Sequence, residues 1–249
     1  MTFNTRTVAY DNGSLPFGGT QADTPIFAVD DSFLDPQDTS PQGVDDLSWS
    51  DKLAFTIDDV LTPSECARLI SLTEQLGFQD AAPGIQTPPG MRQNTTVHWI
   101  ASAPDMERIY QRIAHLLPTT IEGRRLHNTL SHRFNTYRYL DGQQFRPHID
   151  GDWPGYGLDD SGRSMATWRD SYSMMSMLIY LNGQREGIQG GDTLLFEGQH
   201  VRHRVTPKAG RALFFRHGLH TQSVLHAGAV VEGDQAKYVA RVNVLYALP

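Results

Sequence analysis

The chain has 249 residues, 39% apolar and 10% aromatic, which is enough for one large domain with a full hydrophobic core. Its 28 acidic and 21 basic residues give a net charge of −7 with no basic stripe, so nucleic acid is not an expected partner. No apolar run approaches the ~20 residues of a membrane span, Met1–Arg6 lacks a signal-peptide core, and the single cysteine, Cys66, cannot form an internal disulfide. A soluble, cytoplasmic protein is expected, with Cys66 a small apolar residue on a helix.

Residues 1–50 are dense in Gly, Pro, Asp, Ser and Thr and hold no sustained period. They read as an irregular N-terminal arm, resting on the body through Phe17, Ile26–Val29 and Phe33-Leu34, ahead of a single domain over 51–249. Phe55–Ile57 reads as a short strand. In Thr62-Pro63-Ser64-Glu65, Thr62 is placed as an N-cap, Pro63 as N1 and Glu65 to close a capping box. Cys66, Leu69, Ile70, Thr73 and Leu76 fall on one face of that helix, and Gly77 ends it. Ser102-Ala103-Pro104-Asp105 starts a second helix, with an apolar stripe through Met106, Ile109, Tyr110, Ile113, Leu116 and Leu117 and a stop at Pro118. Two amphipathic helices ahead of a β-rich half predict helices packed on the outside of one sheet.

From about residue 130, short apolar or alternating runs lie between turn signals. They are His132–Leu140, Gln144–Asp150, Tyr172–Leu181, Asp192–Glu197, Val201–Val205, Arg211–Phe215, Thr221–Leu225 and Lys237–Leu245. Eight short strands so spaced predict a mainly β, jelly-roll or barrel architecture. Residues 151–171, with Trp153 and Trp168, interrupt the strands and read as a long functional loop that is mobile until substrate binds.

His148 and Asp150 form an H-x-D pair, whose side chains share a face in an extended strand. That is two thirds of a 2-His-1-carboxylate facial triad, a ligand set suited to non-haem Fe(II). Among the other histidines, His98, His115, His127 and His132 precede the core, and His200 and His203 lie in a polar segment that reads as an edge strand. His217, His220 and His226 remain as third ligands. The final strand places Lys237 and Arg241 on one face with Val239 between them. Two cations on an apolar strand are costly unless an anion meets them or the face is solvated.

In order, the chain shows Tyr139-x-x-Gly142, Phe145-x-x-His148-x-Asp150, Ile179–Asn182, Gly190-Gly191-Asp192-Thr193, Pro207-x-x-Gly210-Arg211, His226-x-Gly228 and Gly233 followed by Lys237-Tyr238-Val239. Over roughly residues 53–247 this order resembles the prolyl 4-hydroxylase-like branch of the 2-oxoglutarate and Fe(II)-dependent oxygenases. The resemblance implies an α+β chain with a double-stranded β-helix (jelly-roll, cupin-like) core and flanking N-terminal helices. It implies that His148, Asp150 and His226 hold Fe(II), that Lys237 pairs with the distal carboxylate of 2-oxoglutarate, and that Tyr139 hydrogen-bonds the co-substrate. The step from His226 to Lys237 is one residue longer than usual, which leaves Arg241 as the alternative cation. The implied activity is hydroxylation of a small or amino-acid-like molecule with O₂, releasing succinate and CO₂, with ascorbate stimulating. A protein (prolyl-type) hydroxylase and a non-catalytic cupin-like binding module are the alternatives, and the oligomeric state is open.

Overall fold

Along the strands of the second half, neighbouring residues face opposite ways, as the pleat requires. Met175, Met177, Ile179 and Phe214 pack in one cluster with the helices, while Leu178, Tyr180, Leu213 and Phe215 pack in another with Leu195 and Val205. These two cores define three layers: helices, a large sheet and a small sheet. The computed structural model describes residues 2–11, 24–80 and 90–248; Phe17 lies outside them.

The large sheet runs Thr5–Asp11, Thr24–Val29, Thr95–Ile100, Arg133–Tyr139, Lys237–Ala247, Met165–Tyr180, Ala212–Arg216, Ala54–Ile57, Asp45–Asp46. The small sheet runs His200–Val205, Thr193–Glu197, His226–Gly228, Phe145–His148. The two sheets form the double-stranded β-helix expected from the sequence, with the apolar Leu178–Phe215 cluster between them. Helix α1 (Pro63–Leu76) starts as predicted. Thr62 Oγ1 accepts the Glu65 N–H, and the Glu65 carboxylate accepts the Thr62 N–H. Cys66 is buried on its inner face, and burial pushes its thiol up to about 12, which makes it an unreactive core residue. Among the described residues no helix is long and apolar enough to cross a membrane.

Three expectations are corrected. The N-terminal segment is not an irregular arm: Thr5–Asp11 pairs with Thr24–Val29, which adds in parallel to Thr95–Ile100. Alternation is invisible in Ile26-Phe27-Ala28-Val29 because every residue is apolar, although Ile26 and Ala28 are fully buried and Phe27 is not. Residues 151–171 are not a long loop. Pro154–Leu158 folds back on the first half of Met165–Tyr180 as a hairpin. Gly155 sits so close under the Trp168 ring that a Cβ there would come within 2.4 Å of it. Finally, Thr221–Leu225 is turn and irregular chain, and the strand begins at His226. Thr95–Ile100 and Arg124–Leu130 are strands that the periodicity did not reveal.

Helices and N-terminal segment are tied by one buried ion pair. Arg112 of α2 (Ala103–Ile113) forks onto Glu65, with both nitrogen–oxygen distances 2.9 Å and both side chains almost wholly buried. Its remaining donors reach Val60 O and Asp38. Removing one partner strands a charge in the interior. Arg112→Met should therefore cost about 3–5 kcal/mol in denaturant unfolding, and the double variant Glu65→Met/Arg112→Met should recover a good part of that loss.

Candidate active site

The small sheet brings the histidines together through its register. His226 pairs directly with His148 across the antiparallel ladder, and their rings lie 4.2 Å apart. Asp150, two residues past His148, returns to the same side, so ligand atoms of all three lie within 4.8 Å of one another. A backbone carbonyl only accepts hydrogen bonds. His148 Nδ1, 2.8 Å from Arg146 O, and His226 Nδ1, 3.1 Å from Val224 O, must therefore be the protonated nitrogens. Each Nε2 is left facing Asp150 Oδ1, at 3.5 and 3.7 Å. Burial, then the neighbouring His148, brings His226 down to about 3, so it is neutral at ordinary pH. Two imidazole Nε2 atoms and one carboxylate oxygen, each on a side chain whose other polar atom is already bonded, fit a divalent metal bound through nitrogen and oxygen.

Asp150 is buried, which by itself would raise its pKa. The Arg241 guanidinium more than reverses this and holds the carboxyl well below the usual carboxylate range. Oδ2 faces Arg241 Nε at 3.3 Å and accepts the Ser176 hydroxyl at 2.6 Å. Because the Ser176 proton is committed to the carboxylate, His217 Nδ1–H must donate to Ser176 Oγ at 2.9 Å. His217 Nε2 then accepts from Ser173 Oγ, also at 2.9 Å, and Ser173 Oγ in turn accepts the Trp153 N–H. Burial, then Arg241, lowers His217 to about 3, which keeps it in this neutral form. Every proton in the relay from Trp153 to Asp150 is thereby assigned, and Oδ1 alone is left for a metal.

The large sheet supplies the cations. Lys237 pairs with Tyr139 in the ladder, and its ammonium lies 5.4 and 5.6 Å from the Tyr139 and Tyr180 ring centres. It donates to Gly191 O. Gly191 has φ +67°, and a Cβ there would come within 2.9 Å of Lys237 Cδ, so the lysine needs glycine at that place. Among the described residues no carboxylate pairs with Lys237, which is 2% exposed and lowered by burial to about 8. Arg241 lies on the same face, as expected, but its charge is spent on Asp150 and its Nη2 on Gly151 O. Arg241 thus lies against the Asp150 carboxylate as well as lining the cavity. His148, Asp150, His226, Lys237, Arg241 and Tyr139 all line one cavity of about 300 Å³ between the sheets.

The remaining histidines lie elsewhere. His220 is over a third exposed, beside Glu122, and His200 and His203 lie on the edge strand of the small sheet. His98 is buried against Asn135. Sequence reasoning kept His217 as a candidate third ligand, whereas the structure places it on Ser176 and Ser173, and it did not single out those two serines or Arg92, which lines the cavity wall. No local spacing marks them, because register alone brings them in.

Residues 134–245 match the family described as the 2OG-Fe(II) oxygenase superfamily. No curated protein matches the chain. Among solved structures it is similar to the viral collagen prolyl hydroxylase of Paramecium bursaria Chlorella virus-1 in complex with 2-oxoglutarate. That likeness has a TM-score of 0.52 at 22% identity, over 78% of this chain and 96% of that one. It is also similar to a prolyl hydroxylase of Trichoplax adhaerens in complex with a hypoxia-inducible-factor peptide fragment, with a TM-score of 0.53 at 15% identity, over 78% and 83%. These likenesses bear on the fold. The family match runs from the strand that carries Tyr139 to the strand that carries Lys237, and it encloses the whole three-ligand cluster. The stretch that is similar to the 2OG-Fe(II) oxygenase superfamily is thus the one that builds the site.

Proposed function

We propose that His148, Asp150 and His226 are the iron ligands, that Lys237 meets the far carboxylate of 2-oxoglutarate, and that Tyr139 hydrogen-bonds the co-substrate. The enzyme then hydroxylates an unactivated C–H of a small, amino-acid-like molecule. One observation carries this reading. A single cavity holds both a three-ligand cluster with its lone pairs turned inward and a buried ammonium with no carboxylate among the described residues. A cytoplasmic setting agrees with one buried, unpaired cysteine.

Iron, when bound, supplies the redox chemistry by which O₂ is divided between 2-oxoglutarate, giving succinate and CO₂, and the substrate C–H, giving an alcohol. The chain does the rest. The Nδ1 bonds to Arg146 O and Val224 O hold both imidazoles at a fixed angle and tautomer. Ser176 and Arg241 keep Asp150 ionised and turned so that Oδ1 faces the histidines. Phe145, stacked 3.5 Å from His148, and Phe215, 4.3 Å from His226, keep water from the backs of the rings. A small substrate is favoured because the cavity of about 300 Å³ must hold the keto acid as well. The peptide in the Trichoplax complex supports a second reading, a protein substrate.

Succinate release from 2-oxoglutarate with Fe(II) and ascorbate, screened over free amino acids, small acids and peptides, tests the activity. His226→Ala should abolish it while the fold persists, and His220→Ala should not. The opposite pattern would move the third ligand to His220. Ser176→Ala should weaken metal binding roughly 10–100-fold, read by Co(II) absorption against a competing chelator.

Lys237 gives the pH dependence. It is cationic below about 8 and loses its charge as the pH rises through that value. The carboxylates of the keto acid stay ionised throughout, so 2-oxoglutarate binding should hold below the break and weaken about tenfold per pH unit above it. Lys237→Met should raise the KM for 2-oxoglutarate roughly tenfold to a hundredfold, as loss of a charge-assisted bond of about 1.5–3 kcal/mol implies. It should also erase the break. A break that survives in Lys237→Met would belong to another group.

A further inference from the structure

A second cation in the cavity wall lacks a counter-charge. Met91-Arg92-Gln93 runs beside the strand that carries His148: Gln93 N–H donates to Gln144 O, Arg146 N–H donates to Met91 O, and Arg92 bridges Phe145. The guanidinium of Arg92 lies over two rings, 4.5 Å from the centre of Tyr137 and 5.0 Å from that of Phe145. Phe145 in turn stacks 3.5 Å from His148, so two ring steps separate the guanidinium from the first metal-binding imidazole. Nε donates to Asn94 Oδ1 at 2.8 Å, while Nη2 is closed off from solvent and has no acceptor among the described residues. Among the described residues no carboxylate pairs with Arg92, and residues 81–89, which precede it, contain neither Asp nor Glu.

The charges of the cavity sharpen the point. Three cations, Arg92, Lys237 and Arg241, face one carboxylate, Asp150, and Arg241 is already paired with it. Ferrous iron and 2-oxoglutarate carry equal and opposite charges, so loading both leaves the excess in place. Lys237 accounts for the keto acid, and Arg92 remains. A planar guanidinium held between two rings offers a fixed fork, the geometry that takes a carboxylate through two parallel bonds. It is also costly to leave unpaired away from water.

We propose that Arg92 anchors the substrate by a free carboxylate, so that the substrate class is small organic acids, amino acids with an unblocked carboxyl end included, and an internal residue of a peptide is refused. This rests on the iron and 2-oxoglutarate reading of the cavity.

The test uses the full chain loaded with Fe(II) and 2-oxoglutarate under argon, so that binding is read without turnover. Calorimetry first establishes that 2-oxoglutarate binds. Ligand-observed NMR then compares the L-amino acids, their carboxamides, and tripeptides blocked at both ends. At least one acid should bind at least tenfold more tightly than its amide, and blocked tripeptides should not compete with it. Arg92→Met should remove the preference for acid over amide, and Arg92→Lys should keep part of it. The wild-type comparison of acid with amide needs no variant to fold. Equal binding of acids and amides, binding of blocked tripeptides in their place, no binding of any acid, or an undiminished preference in Arg92→Met would each overturn the role of Arg92. Failure of the loaded wild type to bind 2-oxoglutarate would instead overturn the reading beneath it.

Discussion

An ionised carboxylate taken out of water is the constraint around which this molecule is arranged. Asp150 sits at the seam of two sheets, and its charge survives there only because Arg241 comes from the central strand of the large sheet and Ser176 from the strand beside it. The two oxygens are thereby made unequal. Oδ2 belongs to the protein, and Oδ1 belongs to whatever the histidines hold. An isolated carboxylate in an apolar seam would take up a proton instead, and the three-ligand set would lose its anion.

Around that point the two sheets divide the work. The small sheet carries His148 and His226, on two strands whose register sets the rings side by side. The large sheet carries the positive charges that meet anions, and its far side is filled by the helices. The hairpin of residues 154–168 joins the two tasks. It packs under the N-terminal strands through Tyr156, Leu158 and Met165, and the segment leading into it enters the relay to Asp150 through the Trp153 N–H.

What could be read from the chain follows from how local each signal is. The H-x-D pair was legible because the pleat alone puts both side chains on one face. The start of α1 was legible because Thr62, Pro63 and Glu65 act within one turn. His226 was indicated by the order of motifs, though the strand it was thought to close proved irregular. Thr221–Leu225 has the apolar residues of a strand but lies outside both sheets, and only its end is paired. The choice between Lys237 and Arg241 could not be made from a shared face, since it turns on which of them meets Asp150 across the seam. Ser176 and Arg92 were silent, and the place of His217 behind Asp150 was hidden, because each acts on a group at least 26 residues away in sequence, or on a ring reached only through the sheet. The N-terminal strands were hidden by uniform apolarity, which removes the alternation that would announce them.

The final strand, Lys237–Ala247, is occupied on both sides. Its odd positions 237, 239 and 241 line the cavity, while Ala240, Val242, Val244 and Tyr246 fill the core under the helices. The strand is therefore written on two interleaved tracks, one turned to the cavity and the other to the helix layer, and Val239 on the first also belongs to the apolar cluster between the sheets. A slip of one residue would exchange the tracks, driving two cations into the helix layer and turning the residues of that layer toward the cavity. Between His226 and the start of this strand, Val231–Glu232 pairs with Gln189–Gly190. In such a strand drift is tolerated in steps of two, and a single inserted residue is an all-or-none event.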